Sequence, residues 1–396
     1  MNIISTRHPY RHLFKAGIVN GLGDRFSQVA VLALLLELTG SGLLVGAVMG
    51  LRVLPFLIFS PLSGRLADHY NKRTLMIAAD ILRFPFAMMF LLVDSKQDLW
   101  MIYVGVMGLA CGEAFYQPLR KSTIGAIIAP EQLVKVNALE QVITGIVLIL
   151  GSITGGAAAY FLGAEISFLI NGITFLISAW FIRQMPDLRE ELISDTDRTS
   201  HSRWHRQLPL ILWMVVILQC LTAVTDGVFN VLISFYGAEV FDYGDIGIGF
   251  LYGALGTGLV VSFFVIHLFK NKLIINALIA LFIEGSMQIA ASQAATIWLT
   301  VVIFTLIAAA GGISAACLDT EIMKSTKQSH QGRIFGWLES VTNIQLGLSM
   351  LAGGLLLEYY PVQWVGLAGG AVNLALAVLF ISMTIILQKR SFITIH

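Results

Sequence analysis

The sequence predicts an all-helical integral membrane protein of twelve transmembrane helices, arranged as two pseudo-symmetric six-helix bundles. Three observations carry that reading. Of 396 residues, 57% are hydrophobic and only 12% are charged, against about 25% charged in a soluble domain, and mean hydropathy is +0.80. Apolar runs long enough to span a bilayer, which takes about 20 residues, recur along the whole chain. The few cations then fall on one side of those runs. A soluble enzyme, a nucleic-acid binder and a disordered chain are excluded at this step. Three cysteines in apolar runs and eight scattered histidines supply neither a disulfide framework nor a metal site.

Punctuation by polar residues, Gly and Pro places the spans at 14–38, 43–66, 74–94, 98–119, 137–162, 165–184, 208–235, 245–269, 272–292, 296–319, 333–357 and 362–388. The first is too long for a cleavable signal peptide, carries Asp24 and Arg25, and precedes no small-residue cleavage site. The long hydrophilic stretch 185–207 divides the chain into bundles 1–184 and 208–396. With the N-terminus inside, 21 of the 25 Lys and Arg residues lie in inner segments and only Lys96 lies outside. Both termini are therefore expected in the cytoplasm, in a cell (inner) membrane. The halves also echo each other. Asp24 stands 18 residues before Gly42, and Asp226 stands 18 before Gly244, so each half opens on a helix with one internal acid, as parallel repeats do.

An ionised group near the bilayer centre costs at least ~2.5–3.5 kcal/mol, so the internal charges are the candidate site. Asp24 lies about ten residues, or ~15 Å, into its span, on a polar stripe with Asn20 and Gln28. Thr222, Asp226, Asn230 and Ser234 repeat that stripe in the seventh span, and Glu113 with Gln117 form a third in the fourth. Each acid is read either as a proton or substrate group or as a structural ion-pair partner. Arg52 is a candidate partner for Asp24 or for an anionic substrate group, and Asp80 is spaced to pair with Arg83 on its own helix. Glu284 falls in the ninth span, where the expectation is a peripheral helix.

The segment from Gly64 to Arg73, on the inner side between spans two and three, resembles the signature loop of the major facilitator superfamily at Gly64, Leu66, Ala67, Asp68, Lys72 and Arg73. Asn71 stands where glycine is usual and suits a left-handed turn. Gly23-Asp24, Leu38-Thr39-Gly40-Ser41, Leu54-Pro55, Ser60-Pro61, Phe115-Tyr116-Gln117-Pro118, the run from Leu133 to Ala138 and Gly332-Arg333-Ile334-Phe335 are similar to the drug:proton antiporter-3 group of macrolide and siderophore exporters. In the fifth span Ser152 replaces a proline often found in antiporters, while Gly145, Gly151, Gly155 and Gly156 remain as close-packing residues.

The resemblance implies the facilitator fold, alternating access, and proton-coupled export of an amphipathic drug or siderophore-like metabolite. On the charge and stripe argument above, Asp24, Gln28, Arg52, Glu113, Gln117, Asp226 and Asn230 are expected on the substrate and proton pathway. The resemblance implies gating by Gly64, Asp68, Arg73 and Arg120, with Asp68 meeting Arg120 and the start of the eleventh span near Gly332. The partners expected are the lipid bilayer and a small molecule, the chain acting as a monomer with no cofactor beyond the proton gradient and no nucleic acid. Similar runs at Tyr116-Gln117-Pro118 and Leu150-Gly151-Ser152 leave a lysophospholipid transporter as the alternative, with a nutrient symporter next. An intramembrane enzyme would need a nucleophile–base pair that the spans lack.

Overall fold

The structure, a computed structural model, describes residues 8–39, 44, 48, 50–67, 69–151, 154, 161, 163–186, 209–269 and 271–393. Asp68, the linker from 187 to 207, and Ser152, Gly155 and Gly156 lie outside them. Twelve α-helices run through the described residues: α1 Tyr10–Thr39, α2 Leu54–Leu66, α3 Lys72–Met89, α4 Leu99–Ile127, α5 Leu133–Ile146, α6 Ala164–Arg183, α7 Leu210–Phe235, α8 Gly244–Val265, α9 Leu273–Ser292, α10 Ile297–Ser325, α11 Gln328–Tyr359 and α12 Val362–Ile393. Eleven are long and apolar enough to cross a membrane; α2 has 13 described residues. The all-helical membrane fold expected from the sequence is the fold observed.

Two differences from the expected spans have physical causes. The second span is not one continuous helix. The chain turns at Arg52 and Val53 before α2 begins, because Pro55 has no N–H to continue the ladder. At their C-terminal ends, α4 and α10 run well past the first charged residues, to Ile127 and Ser325. In α4 the charge does not stop the helix because Arg120 is itself buried, donating Nη1 to the Leu13 carbonyl at 2.9 Å.

The helices pack as two compact units: Met1–Ala129 with Ile146–Trp204 and Thr326–Ile344, and Pro130–Gly145 with His205–Ser325 and Gln345–His396. In the first, α1 packs on α6, α3 on both α4 and α6, and α2 on α4. An apolar core of Ala30, Val31, Leu35, Phe90, Ile102 and Phe168 lies within it. In the second, α9 packs on α12 and α10, α8 on α10, and α7 on α12, around Leu232, Ile233, Tyr236, Leu251, Phe304 and Ile307.

Candidate substrate and proton site

In the first unit the charges form one network spread over α1, α3, α4 and α6. Arg83 is its centre. It is 2% exposed, and its Nη2 donates to both carboxylate oxygens of Asp24, at 2.7 and 2.9 Å. Nη1 donates to Asn20 Oδ1 at 3.1 Å and lies 3.8 Å from Asp80. Asp80 accepts from Asn20 Nδ2 at 3.0 Å and from the Ser178 hydroxyl at 2.6 Å. The guanidinium also sits 4.2 Å from the Phe175 ring centroid, a cation–π contact. Gly112 on α4 makes the space: a Cβ there would run into the Arg83 stem.

The second pair is Arg52 with Glu113, Nη2 to Oε2 at 2.8 Å, each about a quarter exposed. Arg52 therefore takes Glu113, on α4, as its direct partner, and Asp24 takes Arg83. Asp80 and Arg83, spaced to pair on one helix, do approach, but the closer contacts of Arg83 go to α1. Arg25 turns away from Asp24, as one helical step requires, and donates to Gln28 at 3.2 Å. Gln28 is thereby held by a cation as well as lining the site.

These groups border a small open cleft of about 30 Å³ lined by Asp24, Ser27, Gln28, Val31, Arg52, Phe90, Val106 and Leu109. One wall is polar and charged, the other aliphatic and aromatic. Gln117 lies half-buried on α4 beyond Glu113.

The gating residues divide. Gly64 is backed against the Gly332 carbonyl, which a Cβ would strike, and Gly336 is equally close to the Ser60 carbonyl; α2 and the start of α11 touch through backbone. Arg120 covers Gly17, where a Cβ would come 2.5 Å from Nη2. Arg73 donates to the Arg183 carbonyl. Its own N–H is capped by Asn71 Oδ1 at 2.9 Å. Asn71 is extended, with φ −62° and ψ 116°, so it serves as the N-cap of α3 and not as the left-handed turn expected. Asp68 lies outside the described residues.

In the second unit the stripe on α7 is half-buried throughout. Asn230 Nδ2 bonds the Asp226 carbonyl at 3.2 Å, and the Thr222 hydroxyl bonds the Gln219 carbonyl at 3.1 Å. The ninth helix is peripheral as expected, with Ile279, Phe282 and Ile283 exposed, but Glu284 lies on its buried side: it is only 8% exposed, with Oε2 against Gly311 of α10. A sequence signal for it existed, since Gln288 lies one turn further on the same face.

The stripe can be tested directly. In a background without the native cysteines, Thr222→Cys, Asp226→Cys and Asn230→Cys are expected to react with a hydrophilic, membrane-permeant thiol reagent. Val228→Cys is expected to stay inert, because Val228 packs against Gly353 of α11. Equal labelling at all four positions would show that the stripe does not face water.

Helices of this length and apolarity, with charges gathered inside each unit, define a polytopic integral membrane protein. The family described as Major Facilitator Superfamily matches residues 13–287, and the chain belongs to that superfamily. Among relatives, an uncharacterized MFS-type transporter of Bacillus subtilis, YfiS, is 22% identical, covering 96% of this chain and 94% of its own. Macrolide efflux protein A of Streptococcus pyogenes is 28% identical over 29% of each chain. Among solved structures, the human organic anion transporter MFSD10 superposes with a TM-score of 0.73 at 13% identity, over 94% of this chain and 100% of its own, a likeness of fold alone.

Proposed function

We propose that the protein is a proton-coupled exporter of an amphipathic small molecule, a drug or siderophore-like metabolite. It works as a monomer in the cell's inner membrane with both termini cytoplasmic. The halves 1–184 and 208–396, joined by the linker 185–207, rock about the substrate in alternating access. The observation that carries the reading is the cleft beside Asp24 and Arg52, which sets ion-paired polar groups against Val31, Phe90, Val106 and Leu109. The similarity to a macrolide efflux protein over part of the chain supports export as the direction.

In the cycle, Arg52 and Glu113 hold polar groups of the substrate while the apolar wall takes its hydrocarbon. Intramembrane carboxylates take up protons from outside and release them inside, resetting the empty transporter. Gly64, Asp68, Arg73 and Arg120 hold the inner side shut in one of the two states.

Proteoliposomes carrying the full chain test this with a panel of fluorescent amphipathic cations and macrolides. An imposed pH gradient is expected to drive saturable accumulation of at least one compound, and a protonophore to abolish it. Flux that ignores the gradient would overturn the proton coupling. No saturable flux of any amphipathic compound would overturn the substrate class.

A further inference from the structure

The polar groups that line the cleft are not equally engaged. Asp24 accepts from Arg83 Nη2 on both carboxylate oxygens, at 2.7 and 2.9 Å. Arg83 itself is 2% exposed and stays packed among α1, α4 and α6. Gln28 accepts on Oε1 from Arg25 at 3.2 Å. The acceptors of the cleft therefore already meet guanidinium groups of the protein.

The donors are in the opposite condition. Arg52 makes one side-chain bond, from Nη2 to Glu113 Oε2 at 2.8 Å, and its side chain remains 27% exposed. A guanidinium carries several N–H donors and no acceptor, and no described residue accepts from Nη1 or Nε. The Ser27 hydroxyl is buried and has no hydrogen-bond partner. Gln28 Nε2 likewise donates to no described residue. Arg52, Ser27 and Gln28 all line the cleft. The buried amides of the second unit, by contrast, spend their donors within a chain. Thr225 donates to Asn373 at 2.6 Å, Asn373 Nδ2 to Gln288 Oε1 at 3.0 Å, and Gln288 Nε2 to Glu284 Oε1 at 3.4 Å.

A ligand ammonium in the cleft would have to share Asp24 with Arg83. A ligand oxyanion would instead find N–H and O–H groups that nothing else uses. The guanidinium fork suits a carboxylate or phosphate better than any other side chain does. At about 30 Å³ the cleft has room for a small head group and not for a whole drug. Val31, Phe90, Val106 and Leu109 form its other side, so the atoms next to that head group meet an apolar wall.

We infer that the cleft recognises an oxyanion, a carboxylate or a phosphate ester, at one end of an amphipathic substrate. Arg52 is its anchor, and Ser27 and Gln28 are the accessory donors. Glu113 keeps Arg52 in place and shares its guanidinium with the incoming anion. This substrate class rests on the exporter reading above, but its test reads binding alone.

The full-length protein in phosphatidylcholine nanodiscs is titrated with dansylaminoundecanoic acid, its carboxamide and the matching primary amine, with empty discs subtracted. The acid is expected to bind at least about tenfold tighter than the other two. Arg52→Gln should erase that preference, and Arg52→Lys should keep only part of it, because an ammonium lacks the fork. Glu113→Gln removes a negative charge beside the anchor and should raise the preference for acid over amine. Should Arg52→Gln fail to fold, the wild-type comparison and Arg52→Lys decide the matter. Equal or tighter binding of the amine overturns the inference, as does failure of all three compounds to bind. So does a preference that survives Arg52→Gln, or one that stays level or falls in Glu113→Gln. Loss of both acid and amide binding on adding phosphatidylglycerol to the discs would assign the donors to a lipid head group and overturn a transported anion. If the acid binds as expected while a pH gradient drives no compound, the exporter reading fails and the anion site stands. Gradient-driven flux of cations without binding of the acid removes the site and leaves the exporter.

Discussion

Arg83→Met is expected to lower the stability of the protein by about 3–5 kcal/mol, the usual loss when one partner of a buried ion pair is removed. Methionine keeps most of the side-chain volume, so the loss is not one of packing. It leaves Asp24 without its two guanidinium bonds and Asp80 without its nearest cation. Thermal melts in detergent would read the effect. Arg83→Lys should recover only part of it, because a single ammonium cannot reach Asn20 and Asp24 in the fork geometry that guanidinium provides. Pairing Arg83→Gln with Asp24→Asn removes both charges and should recover more than Lys does. If Arg83→Met melts with wild type, the network is not what holds α1, α3 and α6 together.

Gly64→Val is expected to reduce transport at least tenfold and to destabilise by about 1–3 kcal/mol, the range for overpacking. The group in the way is the Gly332 carbonyl, part of the main chain, so no side chain can rotate aside to make room. Leu66→Ala on the same helix should be mild by comparison, since it removes volume instead of adding it. Drug flux in proteoliposomes together with a melt separates the two effects. Wild-type flux in Gly64→Val would mean that α2 and α11 do not need this approach during the cycle.

The spans were legible because hydrophobic length and cation placement are properties of the chain alone. The charged positions were legible for a related reason: an ionised group in an apolar run stands out whatever surrounds it. What could not be read was the pairing. Arg52 bonds Glu113, and Arg83 bonds Asp24 across 59 residues, choices set by how each helix is rotated against its neighbours. Rotation depends on packing details such as Gly112 making space for the Arg83 stem, which composition does not reveal. The burial of Glu284 could not be read for the same reason. Its burial comes from α10 and α12 closing over it, with Gly285 against the backbone of Gly370 and Leu374. Helix ends were misjudged where a charge was taken as a stop, as at Arg120, whose guanidinium finds a carbonyl within the protein.

The link from Thr225 through Asn373 and Gln288 to Glu284 has a direction, and that direction makes it an insulator. A carboxamide donates through nitrogen and accepts through oxygen, and it cannot accept a proton at the nitrogen while passing another on. Water files and carboxylic acids relay protons; two amides in series do not. The α12 side of Glu284 is polar and hydrogen-bonded, yet this run of amides offers a proton no path along it.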